Sequence, residues 1–266
     1  MGLITLLTDF GHIDSYVGVM KGVIASISPH CQVIDLTHGI QPQAILAARF
    51  NLLTSYNYFP AGTIHVVVVD PGVGTQRAVL AAEVESSAGI QRIIAPDNGT
   101  LTGFPINKVV ALTNANYWLA KQPSSTFHGR DIFAPVAAHL ANGVALDQVG
   151  SVLSVADLVS LNIEAAPALT SQLVTSTNYS GSIQYIDYFG NLITNIPEQS
   201  LRSRSWQIKL GNYCLEYHST YGETASGTAL ALIGSHGYVE IAINGGNAAR
   251  VMGVQVGDLV KIAYTD

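Results

Sequence analysis

Two short segments contain the side chains best suited to chemistry. Asp70 follows an apolar run at 65–69 and opens the segment DPGVGTQR, which ends at Arg77. His128 lies in the segment FHGRD, where a turn leads into a helical pattern. A carboxylate, a guanidinium and an imidazole in one pocket can hold a water molecule and take up its proton. Two alternatives stay open: an ion pair between Asp70 and Arg77 that only braces a loop, and a structural histidine.

A third candidate, Asp9, stands where the first predicted strand ends. Ligands of open α/β sheets bind at the carboxyl ends of the strands, so Asp9 and Asp70 are both expected to face that crevice. A carboxylate there can accept both hydrogen bonds of a ribose diol, as in dinucleotide-binding folds. The alternative is a turn aspartate that caps its own backbone.

The second half of the chain offers groups that suit a purine. Asp187, Phe189 and Asn191 combine an acid, an aromatic face for stacking and an amide for the base edge. The segments GSHGY, with Ser235, and NGGN, with Asn244, offer backbone amides and small polar groups that suit a carboxylate or an adenine. In each case the alternative is ordinary turn chemistry, such as a hairpin with a Gly-Asn turn.

A metal site is a weaker interpretation of the same region. His12 lies near Asp9 and Asp14 and could join His128 around a cation. Metal sites usually show an i, i+4 or CxxC-type spacing, and none is present in the sequence. We therefore expect no metal.

Composition restricts the partners. Only 11% of the 266 residues are charged, against about 25% in typical domains, which suggests that part of the surface is hidden in subunit contacts. The net charge is −6 with scattered Lys and Arg, which predicts no nucleic-acid partner.

Cys31 and Cys214 lie in apolar patterns and are predicted to be buried free thiols of a reducing cytosol. The sequence has neither a basic stretch before its first apolar run nor an apolar run of about 18 residues, so we expect a soluble cytoplasmic protein without a signal peptide or membrane contact.

The order of elements predicts two domains. Up to residue 140, strand and helix patterns alternate, which predicts an α/β domain at 1–165 with a mostly parallel sheet covered by helices. A linker is expected at 165–168, followed by a smaller all-β, barrel-like domain at 170–266. The predicted strands are 3–8, 32–36, 63–69, 78–84, 92–95, 182–187, 192–195, 206–210, 213–217, 229–233, 238–243 and 259–263, and the predicted helices run to residue 27 from a cap at Asp14 or Ser15, over 44–53 and over 131–140.

Taken together, these segments resemble the SAM hydroxide adenosyltransferase family, the adenosine-forming S-adenosyl-L-methionine (SAM) hydrolases, whose relatives include the fluorinase and the chlorinase. The resemblance covers nearly the whole chain. It rests on LTDFG at 7–11, DPGVG at 70–74, APDNG at 95–99, FHGRDIFAP at 127–135 and FGNLITNI at 189–196. Several such segments in order are much more specific than any one of them.

The resemblance implies an activity and a set of roles. It implies hydrolysis of SAM to adenosine and methionine without a metal or redox cofactor, in a homotrimer whose sites lie between the N-terminal domain of one subunit and the C-terminal domain of the next. Asp70, Arg77 and His128 would position and activate water, and Asp9 would bind the ribose. The implied purine and methionine contacts are Asp14, Asp187, Phe189, Asn191, Ser235, Glu240 and Asn244.

The resemblance also separates the two branches of the family. The fluorinase carries a tyrosine where this chain has Asp70, a serine where it has Gly129, and an insertion near 84–90 that this chain lacks. These differences favour water over halide as the nucleophile. A SAM-dependent halogenase and a SAM- or adenosine-binding module without turnover remain the alternatives.

Overall fold

The fold comes from a computed structural model that describes residues 2–163, 178–201 and 205–264. The chain divides into two compact units, Met1–Leu161 and Asn162–Asp266. The linker predicted at 165–168 lies outside the described residues. No helix within the described ranges is long and apolar enough to cross a membrane.

The N-terminal unit is built on a seven-stranded sheet with the order β2-β1-β3-β5-β4-β6-β7. Five of the seven strands run in one direction, and β4 and β7 run against them. The predicted mostly parallel sheet is therefore confirmed. Its elements are β1 (Leu3–Thr8), α1 (Tyr16–Ile27), β2 (Gln32–Thr37), α2 (Ile45–Ser55), β3 (Ile64–Val68), β4 (Val79–Ser86), β5 (Gly89–Pro96), β6 (Ile106–Ala111), α3 (Ala134–Ala141) and β7 (Ser151–Leu153).

Helices cover both faces of this sheet. Met20 of α1 and Leu140 of α3 pack against Val66 on one face, and Leu52 of α2 packs against Val67 on the other. Every residue of β3 is buried, which explains its near-continuous β-branched sequence. Because both faces are covered, the polar crevice of this sheet must lie at the ends of its strands.

The first predicted helix starts where it was expected but without a side-chain cap, and the third starts two residues earlier than predicted. Ser15 precedes α1, but its side chain makes no capping hydrogen bond because its backbone is helical rather than extended. The helix predicted to start at Asp131 begins instead with a π-helical turn, Gly129–Phe133, before α3. Pro135 has no N–H to donate to the Asp131 carbonyl, and that carbonyl accepts from the backbone N–H of Leu119 at 2.9 Å. The wider turn lies directly beside His128.

The C-terminal unit is a strongly curved antiparallel sheet with the order β11-β10-β14-β8-β9-β13-β12. A bridge between Tyr217 and Ala231 links its two ends, so the predicted barrel-like fold is confirmed. Every strand predicted in this unit is present. Its elements are β8 (Asn178–Ile186), β9 (Leu192–Pro197), β10 (Trp206–Leu210), β11 (Tyr213–Glu216), β12 (Ala229–Ile233), β13 (Tyr238–Ile243), α4 (Ala248–Met252) and β14 (Leu259–Tyr264).

The prediction of two buried cysteines was wrong. Both thiols are free, but Cys31 is half-buried and Cys214 is exposed. On β11 the neighbouring Leu215 points into the core, and since side chains alternate along a strand, Cys214 faces outward. Strands β6 and β7 and the five-residue helix α4 have no counterpart among the predicted elements; the turn predicted at 245–247 lies directly before α4.

Because β3 contains a buried histidine, His65, we expect the N-terminal unit to be less stable at acidic pH. His65 bonds through Nδ1 to the Thr5 hydroxyl at 2.7 Å and through Nε2 to Gln91 Oε1 at 3.1 Å. Burial lowers the pKa of His65 from 6.5 to about 4, although the hydrogen bond to Gln91 opposes this shift. Between these two values the unfolded chain binds a proton that the folded chain does not. The free energy of unfolding should therefore fall by roughly 3 kcal/mol as the pH drops through this window.

Urea unfolding at pH 7, 5.5 and 4.5 measures this dependence. His65→Gln removes the titrating group, so its unfolding free energy should depend less steeply on pH than that of the wild type. The matched control is His30→Gln, because His30 is exposed. An equal pH dependence in His65→Gln and the wild type would contradict the prediction.

Candidate active site

Asp9 and Asp70 follow the carboxyl ends of two neighbouring strands. β1 pairs with β2 on one side and with β3 on the other, so the connections after β1 and β2 lead to opposite sides of β1. Such a switch point opens a crevice in α/β sheets. Asp9 comes directly after β1, and Asp70 lies two residues after β3. The side-chain amide of Asn98 donates to the Val69 carbonyl at 2.9 Å and so fixes the chain next to Asp70.

The structure brings Asp70, Arg77 and His128 together. The Arg77 guanidinium donates from Nε to Asp70 Oδ1 at 2.8 Å and from Nη2 to Asp70 Oδ2. The same Nη2 lies 3.1 Å from His128 Nδ1. The Asp70 and Arg77 side chains are only 4% and 10% exposed, and Arg77 Cζ lies 5.8 Å from the centroid of the Phe133 ring. Arg77 thus holds an acid and an imidazole in one fixed arrangement.

The guanidinium determines the protonation state of His128. Arginine has only donor groups, so His128 Nδ1 must accept the hydrogen bond and the proton of the neutral ring sits on Nε2. Burial and the nearby Arg77 charge lower the pKa of His128, while Asp70 and Asp131 oppose the shift. His128 is therefore neutral near pH 7 and offers an Nε2–H group as a donor.

Asp70 and His128 line a cavity of about 410 Å³, and Arg77 supports both from outside the lining. One wall is aromatic: the ring centroid of Phe127 lies 5.9 Å from that of Phe10 and 5.2 Å from that of Tyr16. A cavity of this size, with apolar walls and a few converging polar groups, is typical of a small-molecule site. These rings were not among the predicted site residues, although each lies within two positions of Asp9, Asp14 or His128 in the sequence.

Asp9 also lines this cavity, directly after the end of β1. Its Oδ2 accepts the backbone N–H of Gln43 at 2.8 Å, and both residues line the cavity. This carboxylate keeps further acceptor positions for a ligand. Asp14 is exposed and is not part of the cavity lining. Gln43 is a site residue that the sequence analysis missed.

The predicted purine-binding residues of the C-terminal unit form a tight turn. Asp187 Oδ1 accepts the backbone N–H groups of Phe189 and Asn191 at 2.9 and 2.8 Å. The Asn191 side-chain amide donates to Asp187 Oδ2 at 3.0 Å. The Phe189 side chain is left 70% exposed, next to Tyr188 at a centroid distance of 5.9 Å. The aromatic face is therefore available, while the acid and the amide are bonded to each other.

The remaining predicted contacts lie on β13 and in the segments directly before and after it. Ser235 is exposed, whereas Glu240 is 3% exposed and accepts the Tyr221 hydroxyl at 2.5 Å and His236 Nε2 at 3.1 Å. Burial and the bond to Glu240 raise the pKa of Tyr221. The Asn244 side-chain amide donates to the Thr224 carbonyl at 2.7 Å. Glu240 and Asn244 thus bond to other residues of their own unit, whereas Ser235 is exposed.

The described residues contain no group of three His, Cys, Asp or Glu side chains that could hold a metal ion. The fold and the cavity define a class of protein: an α/β unit with a polar cavity at the switch point of its sheet, followed by a barrel-like β unit. Comparison with known proteins specifies the class further.

The chain belongs to the SAM hydroxide adenosyltransferase family, because residues 4–150 match the model of its N-terminal domain and residues 181–261 that of its C-terminal domain. It is 35% identical to the (R)-S-adenosyl-L-methionine hydrolase of Salinispora tropica over 97% of both chains. It is 27% identical to the fluorinase of an Actinoplanes species over 98% of this chain and 97% of the relative. A crystal structure of an uncharacterized conserved protein from Thermotoga maritima matches with a TM-score of 0.86 and 35% identity, over 98% of this chain and 99% of that chain.

Proposed function

We propose that this protein hydrolyses SAM to adenosine and L-methionine by attack of water on the ribose 5′ carbon. The observation that carries the proposal is the joined set of Asp70, Arg77 and His128 at a cavity that also contains Asp9. A binding module has no need of such a set. The sequence similarity to a SAM hydrolase over almost the entire chain supports the same substrate.

Asp9 and the aromatic wall orient the substrate in this proposal. The Asp9 carboxylate accepts hydrogen bonds from the ribose diol, and the Phe10, Tyr16 and Phe127 rings cover the apolar faces of the ligand. Fixing the ribose fixes the 5′ carbon relative to Asp70 and His128. Such orientation is worth about 7–11 kcal/mol in well-aligned intramolecular reactions.

Asp70 and His128 hold the attacking water. The Nε2–H of His128 donates to the water oxygen, and the Asp70 carboxylate accepts one of its protons. As the new oxygen–carbon bond forms, the carbon–sulfur bond breaks and its electron pair stays on sulfur, which becomes the neutral thioether of methionine. The water proton passes to Asp70 and then to solvent. The sulfonium is already a good leaving group, so the enzyme has to supply mainly alignment and a weak base.

Arg77 acts through its two partners in this scheme. It keeps Asp70 in a bidentate arrangement and keeps Nδ1 of His128 occupied as an acceptor. Its positive charge, close to the developing hydroxide, also favours loss of the water proton.

Incubation of the purified protein with SAM in ¹⁸O-labelled water tests the proposal. Chromatography with mass detection should show methionine and adenosine that carries the label at its 5′ oxygen. Unlabelled adenosine would exclude attack by water. Unchanged SAM would favour the alternative of a binding module without turnover. A parallel reaction in chloride or fluoride should give little 5′-halo-adenosine, and efficient halide transfer would favour the halogenase alternative.

The protonation state of His128 predicts an acid limit on the rate. Protonation at Nδ1 would break the hydrogen bond from Arg77 and place a second positive charge beside the guanidinium. Because burial and Arg77 lower the pKa of His128, the acid limb of kcat should lie at lower pH than the titration of an unperturbed histidine. His128→Asn should lower kcat about 10²-fold and remove this titration. A kcat–pH profile from pH 5 to 8 measures both, and an unchanged acid limb in His128→Asn would refute the assignment.

We further propose a cytoplasmic homotrimer in which the C-terminal unit of one subunit completes the cavity of the next, with no metal or redox cofactor. The low charge and the exposed Tyr188 and Phe189 support an assembly in which this turn is covered. Sedimentation equilibrium should give three times the chain mass, and dialysis against a chelator should leave the rate unchanged. A monomer with full activity, or loss of activity that zinc or magnesium restores, would contradict these proposals.

A further inference from the structure

Gln43 adopts a backbone conformation that its residue type disfavours. Its φ is +67°, and it is the one residue other than glycine with a positive φ in the described part of the chain. The backbone N–H of Ala44 donates to the Gln41 carbonyl at 3.0 Å, which closes a four-residue β-turn with Pro42 in its second position. A proline there followed by a positive φ is the pattern of a type II turn, whose third position favours glycine or asparagine. Glutamine at this position therefore needs an explanation other than turn stability.

The turn places Gln43 in the cavity lining, in contact with Asp9. The backbone N–H donates to Asp9 Oδ2 at 2.8 Å, and the residue belongs to the cavity lining. The side-chain amide makes no hydrogen bond with the other described residues, and Gln43 as a whole is exposed. The carboxylate of Asp9 is thus fixed by the backbone of a lining residue whose side-chain amide keeps its donor and acceptor groups for a ligand.

We propose that Gln43 is a second ribose-recognising residue. Its N–H orients Asp9, and its side-chain amide binds one hydroxyl of the diol that Asp9 holds. The inference rests on the proposed function, because the diol at Asp9 is that of the adenosyl group. Glycine would supply the same N–H with less strain, so the N–H alone does not account for glutamine at this position.

Titration calorimetry with adenosine, 2′-deoxyadenosine and 3′-deoxyadenosine tests this inference. The variant Gln43→Gly keeps the N–H and loses only the side chain, and Gln41→Gly in the same exposed turn is the matched control. We expect Gln43→Gly to bind adenosine about tenfold more weakly than the wild type. For one of the two deoxy ligands the difference between variant and wild type should disappear, since the hydroxyl that the amide binds is missing.

Two further readouts separate recognition from fold. Relief of the left-handed strain should raise the Tm of Gln43→Gly by about 2–4 °C, so weaker binding would not reflect a damaged turn. Gln43→Asn, which tolerates this conformation and keeps an amide, should bind adenosine better than Gln43→Gly. An equal loss for all three ligands, or no loss, would overturn the role of the side chain while leaving the proposed function intact. Absence of adenosine binding by the wild type would overturn the proposed function and this inference with it.

Discussion

Asp70→Asn is expected to lower kcat by about three orders of magnitude with little change in KM. The amide keeps the shape of the carboxylate, but it cannot take the water proton, and a proton acceptor of this kind contributes about 10²–10⁴-fold. Asp70 does not hold the adenosyl group in the proposed mechanism, so substrate binding should persist. Steady-state kinetics with SAM measures both parameters, and a change confined to KM would contradict the assignment.

The same substitution leaves the Arg77 guanidinium without its acid in a site where both side chains are at most 10% exposed. Breaking such a buried pair costs about 3–5 kcal/mol of stability, so activity and stability must be separated. The double variant Asp70→Asn/Arg77→Met removes the orphaned charge and should regain stability without regaining turnover. The matched control is Glu83→Gln, which breaks the half-buried pair between Glu83 and Arg92 elsewhere in the sheet and should leave kcat unchanged. Restored turnover in the double variant would exclude Asp70 as the proton acceptor.

The sequence was sufficient for much of this arrangement, because strand ends fix where side chains go. The apolar run 65–69 predicted a buried strand, and the residue after it had to face the crevice beside Asp9. The turn glycines after Asp70 made a return of Arg77 to that aspartate plausible, and the structure contains this pair. These predictions used short-range geometry that residue types dictate strongly.

Contacts that depend on competition between partners could not be predicted in the same way. The amide of Asn191 could face a ligand or Asp187, and only the three-dimensional turn decides for Asp187. Glu240 lies on a strand, and the alternation of polar and apolar residues along that strand does not reveal that Tyr221 and His236 bond to its carboxylate. Gln43 was missed because a left-handed glutamine has no sequence pattern; its φ comes from the turn that Pro42 begins.

Arg77 lies outside the cavity lining, so its expected role differs from the roles of Asp70 and His128. If the guanidinium contacted the attacking water directly, Asp70 and His128 would only position Arg77. In the structure Asp70 and His128 line the cavity, and Arg77 fixes their orientation and the tautomer of the imidazole. The acid and the imidazole are therefore expected to contact the water, and the arginine is expected to determine how they do so.

Asp9→Ala is expected to lower the affinity for adenosine by at least about 100-fold. Hydrogen bonds to a charged group are worth about 1.5–3 kcal/mol, and a diol makes two of them with one carboxylate. The substitution removes no ion pair, since the partner of Asp9 in the structure is the exposed backbone N–H of Gln43, which water can satisfy. The fold should therefore survive, and the loss should appear in binding.

Calorimetric titration with adenosine and with adenine distinguishes the ribose contact from the rest of the site. Adenine lacks the diol, so Asp9→Ala should bind it as the wild type does. Asp9→Asn keeps one neutral acceptor oxygen, so its affinity for adenosine should lie between those of Asp9→Ala and the wild type. Asp147→Ala, which removes an exposed carboxylate paired with Lys108, controls for the change in net charge and should leave both affinities unaltered. The kcat of Asp9→Ala at saturating SAM should also drop, because a ribose held only by its base no longer fixes the 5′ carbon against the water. An unchanged affinity of Asp9→Ala for adenosine would show that Asp9 does not bind the ribose, and another residue would have to hold it.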